Sequence, residues 1–514
     1  MKRKSRTEYS VLNIGVGLAG YIANTVMGFL CRMIFVRCLS AEYLGINGLF
    51  GNILSMLSLA ELGIGTAIVY ALYKPLAEDD HEKIASLMKF YGSAYRVIGC
   101  TIAILGLCLL PFLNLIIAEE PNIKENIYII YVVYLFNTCL TYFFSYRGSL
   151  LVAAQRNYVQ TGLSYIITMI QSVVQIIILL VTKEYFLYLG IQTLGTFIYN
   201  ILISQWAKHD YPYINSKNIK PLPKSEKWSL IKNVKALTVN KLTDLLVNST
   251  DNIIITYFNG LVAVGAASNY TLLSGTLSTI TNQLFNGLTA SVGNLNAIES
   301  EEYKYKFFKI LHMANFLIFG WATIGIMFVS EDMVGFFFGT DYILPRSIPF
   351  VLALNFYLVT MQSAITTYRS TMGLFRYGQY TLIFTALINL ILSIWLGKIW
   401  GLFGIYIATS FARIFTNTWY MPYVVFKHGL KRNPMEYFKQ YAIYGFLLMI
   451  DGSICYYLCR LCQFSYLLNI ILKIIICSVV PNIIFCIAFH KTEEFNFLKN
   501  RVTEIARRLM KKYK

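Results

Sequence analysis

Nine ionisable side chains interrupt stretches of sequence that are otherwise apolar: Arg32, Glu61, Arg96, Lys241, Asp244, Asp251, Arg413, Asp451 and Lys473. A charge at the centre of an apolar helix costs roughly 2.5 to 3.5 kcal/mol to insert into a membrane, so such residues line a hydrated cavity or hold a partner. They divide into two chemistries. Arg32, Arg413, Lys241 and Arg96 are cations suited to an anionic group, and the arginine fork matches phosphate oxygens in two places at once. Glu61, Asp244 and Asp251 are carboxylates that can take up and release a proton or a sodium ion. The plainer readings differ by position. Arg96 and Lys473 fall near the ends of apolar stretches and can snorkel, while Arg413 could form an internal ion pair with Asp451 or Asp251.

Uncharged polar residues form a second pattern. Lys241, Asp244, Asn248 and Asp251 are spaced by three, four and three, which stacks them on one helical face; the structural alternative is a Lys241–Asp244 pair that sews this helix to its neighbours. The next apolar stretch carries Asn269, Ser278, Asn282 and Gln283 among many hydroxyls. Asn52 marks a similar run near the start of the chain, and Asn355 and Gln362 mark another further on. Hydroxyls and amides do glue membrane helices together, but this density exceeds what packing needs and suits a ligand with many hydroxyls.

The elements that must position these residues follow from composition. Of 514 residues, 56% are hydrophobic and only 14% charged, against roughly 25% charged in a soluble domain. Soluble enzyme folds are excluded. At roughly 20 residues per crossing, the chain reads as an all-α polytopic membrane protein with fourteen transmembrane helices between Tyr9 and Phe489. Breaks at Thr182 to Glu184 and at Asn259–Gly260 separate adjacent crossings, and the longest outer connection runs from Ser330 to Arg346. Lys2 to Arg6 followed by an apolar run is expected to be the first crossing, since the stretch is too long for a cleaved leader.

The net charge of +18 is distributed as a membrane topology and not as a nucleic-acid surface. Lys2, Arg3, Lys4 and Arg6, the lysines between Lys208 and Lys235, and the basic tail from Lys491 all fall on one side when the N-terminus is placed in the cytoplasm. The positive-inside rule then puts both termini in the cytoplasm. An internal repeat divides the chain. Ser40 to Gly45 corresponds to Gly260 to Gly265, and Ser145-Tyr146-Arg147-Gly148-Ser149 to Thr367-Tyr368-Arg369-Ser370-Thr371, at an offset of about 220 residues. Six crossings per repeat make the two lobes parallel, with a site expected between them. The expected organisation is an N-lobe at 1–206, a basic linker at 207–235, a C-lobe at 236–426, two extra C-terminal helices within 427–490 and a basic tail at 491–514.

Several apparent motifs carry no chemistry. Gly15, Gly17 and Gly20 match a dinucleotide pattern but lie inside the first crossing with no strand before them. There is no Walker A sequence. Cys455, Cys459 and Cys462 lack a fourth ligand at sensible spacing, and the five histidines form no nucleophilic triad. No metal, no cofactor and no enzymatic activity are expected.

Phe35-Val36-Arg37 leading into Leu39-Ser40-Ala41-Glu42-Tyr43-Leu44-Gly45, then Ala60-Glu61-Leu62-Gly63-Ile64-Gly65, then Tyr73-Lys74-Pro75-Leu76-Ala77, resemble the bacterial polysaccharide flippases of the Wzx type, within the multidrug, oligosaccharidyl-lipid and polysaccharide exporter superfamily. The resemblance implies alternating access of two six-helix lobes in the bacterial cytoplasmic membrane, moving an undecaprenyl-diphosphate-linked oligosaccharide to the outer leaflet for O-antigen or capsule, with polysaccharide polymerase machinery as a partner. The last two crossings resemble the extra pair of the lipid II flippases, where they serve the lipid tail. On this reading Arg32 and Arg413, then Lys241 and Arg96, meet the diphosphate. The polar residues Asn52, Asn248, Asn269, Ser278, Asn282, Gln283 and Gln362 line the glycan passage, while Glu61, Asp244 and Asp251 couple an ion. The alternatives are a lipid II flippase, a drug or cation antiporter whose carboxylates bind the cargo, and a scaffold in a glycan assembly complex, which leaves the buried charges unexplained.

Overall fold

A computed structural model describes residues 6–58, 64–117, 121–154, 156–216, 219–374, 377 and 379–512, with the side chains of some helical stretches, chiefly 6–16, 231–249, 280–291 and 505–512, outside the description. The protein is an all-α polytopic membrane protein. Among the described residues, eleven helical stretches are long and apolar enough to cross a membrane.

In chain order the helices are α1 (Arg6–Cys38), α2 (Ala41–Leu57), α3 (Ile64–Ala77), α4 (His81–Leu109), the short α5 (Leu113–Ile116), α6 (Ile127–Phe144), α7 (Gly148–Ala153), α8 (Asn157–Thr182), α9 (Tyr185–Asp210), α10 (Lys224–Ile298), α11 (Glu301–Phe337), α12 (Ser347–Thr360), α13 (Ser363–Thr371), α14 (Gln379–Phe415), α15 (Asn417–Val424), α16 (Pro434–Arg460), α17 (Tyr466–Phe489) and α18 (Glu493–Lys512). Two long helices each contain a glycine with positive φ: Gly260 (φ 78°) in α10 and Gly401 (φ 56°) in α14. Only glycine takes that backbone without strain, so each marks the end of one crossing and the start of the next. Among the described residues, with α10 and α14 divided at these glycines, α2–α3, α6–α7, α12–α13 and the second half of α14 with α15 each counted as one column, and the short α5 and the terminal α18 left aside, the columns number fourteen.

The chain forms two compact units, Met1–Gly265 and Ala266–Lys514. In the N-terminal unit α8 shows how a helix is built for lipid. Ile166, Ile170, Val173, Ile177 and Leu180 are exposed at spacings of four, three, four and three, one continuous stripe. The opposite face carries Gln160, Ser164, Gln171 and Gln175 inward. Gly195 of α9 permits this, because a Cβ there would lie 2.3 Å from Gln171 Oε1. The linker after α9 folds back on the start of α4, where Ser86 Oγ donates to the Lys220 carbonyl (2.8 Å), Lys83 pairs with Glu226, and His81 stacks on Tyr213.

In the C-terminal unit the expected outer connection from Ser330 is partly wrong: α11 continues as helix to Phe337. Asp332 looks like a loop residue in sequence, yet it is buried because Lys473 of α17 reaches it at 2.5 Å and Asn469 donates to it at 3.2 Å. Lys473 therefore does not snorkel. At the other end of α11, Lys306 and Lys309 pair with Glu493 and Glu494 (2.7 Å each), docking α18 against the membrane-spanning helices.

Candidate functional site

Within the N-terminal unit the inward polar face of α8 meets α4, α6, α7 and α9 around a cavity of about 400 Å³. Its lining is almost wholly uncharged and polar: Tyr91 and Tyr95 from α4, Thr141 from α6, Tyr146 and Ser149 beside the start of α7, Gln160, Ser164, Thr168 and Gln171 from α8, and Thr196, Tyr199 and Asn200 from α9, with Ile167 the one large aliphatic contribution.

Each aromatic ring has a local cause for its position. Tyr91 and Tyr95 are one helical turn apart and meet edge to face (4.4 Å, 78°), and the Tyr91 and Ser149 hydroxyls share a hydrogen bond at 3.2 Å. Tyr146 lies in a single 3-10 turn, Ser145–Arg147, that interrupts the column between α6 and α7. It packs against Gly92, where a Cβ would lie 2.8 Å from Tyr146 Cζ. The tyrosines thus keep ring faces and hydroxyls available in a membrane-embedded space.

Two polar atoms of the lining lack a hydrogen-bond partner in the protein, Asn200 Nδ2 and Gln160 Oε1, and Asn200 is only 1% exposed. Leaving such a group unmatched costs about 1–3 kcal/mol. One is a donor and the other an acceptor, the two roles that a hydroxyl combines. The lining contains no carboxylate, which makes it a poor receptor for a cation.

The residues singled out from sequence fall in both units. In the N-terminal unit Arg32 is half-buried near Tyr188, and Asn52 and Asp251 are half-buried on α2 and α10. Arg96 is exposed on α4 beside Val97 and its Nε donates to the Gly92 carbonyl (3.3 Å), an outward placement. In the C-terminal unit Asn269 is fully buried, and Ser278 and Arg413 are half-buried. Gln362 sits at the break between α12 and α13 with neither side-chain polar atom hydrogen-bonded to protein, while Asn315 Nδ2 donates to the Thr360 (3.2 Å) and Met361 (3.0 Å) carbonyls that the break frees. Asn355 is engaged by α14, donating to the Tyr406 carbonyl at 2.8 Å and accepting from Ser410 at 3.0 Å. Asp451 is fully buried with no hydrogen-bond partner to either oxygen, so the Arg413–Asp451 ion pair is not formed. Glu61 and the side chains of Lys241, Asp244, Asn248, Asn282 and Gln283 lie outside the described residues.

Sequence reasoning followed neutral polar residues on other helices and passed over this cavity. The signal was present: Gln160, Ser164, Gln171 and Gln175 recur at helical spacing through an isoleucine-rich segment.

No family model and no curated protein matches the chain. Solved structures do. The lipid II flippase MurJ in an inward closed conformation matches 93% of this chain and 99% of its own at 16% identity, with a TM-score of 0.64. A MOP superfamily transporter from Pyrococcus furiosus, described by the reverse polarity of its binding pocket, matches 84% and 100% at 12% identity with a TM-score of 0.52. MATE in complex with MaD3S matches 80% and 95% at 13% identity, also with a TM-score of 0.52. The chain therefore has the fold of these membrane flippases and transporters.

Proposed function

We propose that the chain is a flippase that carries an undecaprenyl-diphosphate-linked oligosaccharide from the cytoplasmic to the outer leaflet of a bacterial cell membrane by alternating access, for surface polysaccharide such as O-antigen or capsule. The observation that supports this reading is the neutral cavity of the N-terminal unit, in which amides, hydroxyls and tyrosine rings take the place of water around a membrane-embedded space. A sugar hydroxyl moved into hydrocarbon without a partner costs on the order of 4 kcal/mol or more. A glycan therefore needs such a lining, and tyrosine rings accept the apolar C–H faces of the sugar ring while their hydroxyls take its polar edge. The absence of a carboxylate favours this cargo over the cationic drug of an antiporter.

On this reading Arg32 and Arg413, each half-buried in its own unit, meet the diphosphate, and Asp251, with Glu61 and Asp244, carries any proton or sodium coupling. An inside-negative potential assists outward movement of the anion by roughly 2.3 kcal/mol per charge per 100 mV. The α16–α17 pair serves the lipid tail, and polymerase machinery receives the product. The test is Asn200→Leu, alone and with Tyr95→Ala, in a strain that depends on the chain for surface glycan. Loss of surface glycan with build-up of lipid-linked precursor, at normal protein level, is the expected result. Normal glycan with loss of resistance to cationic drugs would replace the flippase by the antiporter.

A further inference from the structure

The repeated Tyr-Arg motif brings a charge to the neutral cavity. Tyr146 lines the space, and Arg147 follows it in the same 3-10 turn with its guanidinium 5.0 Å from the centre of the Tyr146 ring. Arg147 Nη1 donates to Ser204 Oγ at 2.8 Å. Asn200, Ser204 and Lys208 succeed one another at intervals of four along α9, so they share one face. Lys208 stands close enough to Arg147 for the two charges to repel. The cations lie between the cavity and the end of the unit where α9 gives way to the basic linker.

The nearest acid in sequence, Asp210, is taken by Arg156 at 2.5 Å, and among the described residues no carboxylate forms an ion pair with Arg147 or Lys208. The repeat-related Arg369 is placed differently, with Nη2 donating to the Tyr377 carbonyl at 2.8 Å. Two like charges held together in a half-buried position are costly unless an anion lies between them. Two positive charges also match the two negative charges of a diphosphate diester.

We propose that Arg147 and Lys208 form a diphosphate-binding site at the rim of the N-terminal cavity, which receives the charged link of a lipid-linked oligosaccharide while the first sugars occupy the tyrosine-lined space. This rests on the oligosaccharide reading for the identity of the cargo, though not for the anion site itself. The site is a loading station nearer the linker end than Arg32. Its donors are a fork and a point charge, so both phosphates can be held at once.

The test uses the full chain in phosphatidylcholine nanodiscs, with inorganic pyrophosphate as the anion probe and chitotriose as the neutral sugar probe. Arg147→Gln keeps a donor for Ser204 and removes the charge. It and Lys208→Gln are each expected to weaken pyrophosphate binding about tenfold or more, with an unchanged unfolding midpoint and unchanged chitotriose binding. Arg147→Lys should recover part of the loss. Asn200→Leu should abolish chitotriose binding and spare pyrophosphate. Unaltered pyrophosphate affinity in the Arg147→Gln, Lys208→Gln double variant overturns the site. So does a result in which phosphatidylglycerol in the disc abolishes pyrophosphate binding while geranyl diphosphate fails to compete, because the cations then hold bulk lipid headgroups. If chitotriose does not bind but pyrophosphate binding needs both cations, the anion site stands and the oligosaccharide reading falls.

Discussion

Gly45→Ala probes a helix crossing that the repeat brings together. In the N-terminal unit, α2 packs against the part of α10 that follows Gly260, and the contact is reciprocal. A Cβ on Gly45 would lie 2.0 Å from the Leu261 carbonyl oxygen and 2.7 Å from its carbon, and a Cβ on Gly265 would lie 2.5 Å from the Ala41 carbonyl oxygen. In sequence, Gly45 closes the segment Ser40 to Gly45 and Gly265 the similar segment Gly260 to Gly265. Real Cβ contacts stop near 3.0 Å, so alanine at Gly45 requires about 1 Å of separation, and backbone atoms offer no rotamer to relieve it. Overpacking of this kind costs about 1–3 kcal/mol, which amounts to a roughly 5- to 150-fold shift away from the closed crossing. The assay is thiol labelling of a single cysteine at Val264, a fully buried residue whose Cγ1 would lie 3.2 Å from a Cβ on Gly48. Gly45→Ala should raise its labelling rate at least about fivefold and slow transport. Gly51→Ala, where a Cβ meets nothing within 4 Å, should do neither. Unchanged labelling and transport in a normally inserted Gly45→Ala protein would refute the idea that this crossing must stay tight.

Two further outcomes follow from charge. Lys473→Met leaves Asp332 buried and uncompensated, so the variant should lose about 3–5 kcal/mol of stability in detergent unfolding, and Lys473→Met with Asp332→Leu should recover most of it; equal loss in single and double variants would mean that the pair is not what holds α17 to α11. If both termini and the linker face the cytoplasm, cysteines at Ser216 and Ser300 in a background without native cysteines should resist an impermeant thiol reagent in intact cells, and ready labelling of either would invert the topology.

The crossings were legible in sequence because apolar length and backbone exceptions are local properties. The break expected at Asn259–Gly260 is the positive-φ glycine of α10, and the one expected at Thr182 to Glu184 contains Lys183 with φ 56°. What was illegible depends on partners far away in the chain. Glu331 and Asp332 look like the start of an outer loop, and the buried Asp332 is compensated by Lys473 and Asn469, brought over by α17. Arg96 looks like a cavity cation by type, but rotation of α4 turns it outward. The neutral polar face of α8, which carries much of the cavity, is spread thinly through an isoleucine-rich segment, whereas the amides and hydroxyls of Asn269 to Gln283 are dense.

Two kinds of charge in the described structure contrast, closed ion pairs and cations without a counter-charge. Arg156 with Asp210 and Lys473 with Asp332 are closed at 2.5 Å with little exposure; breaking either strands a charge, which suits joints that hold through the cycle. Among the described residues Arg147 and Lys208 have no such counter-charge. A carrier must release what it binds, and a neutral hydrogen bond is worth only about 0.5–1.5 kcal/mol net, so a cavity of amides and hydroxyls can orient a glycan without trapping it. Charge-assisted bonds to a diphosphate are stronger. They are tolerable in a carrier only where hydration can return, and the half-buried rim, unlike the Lys473–Asp332 joint, is such a place.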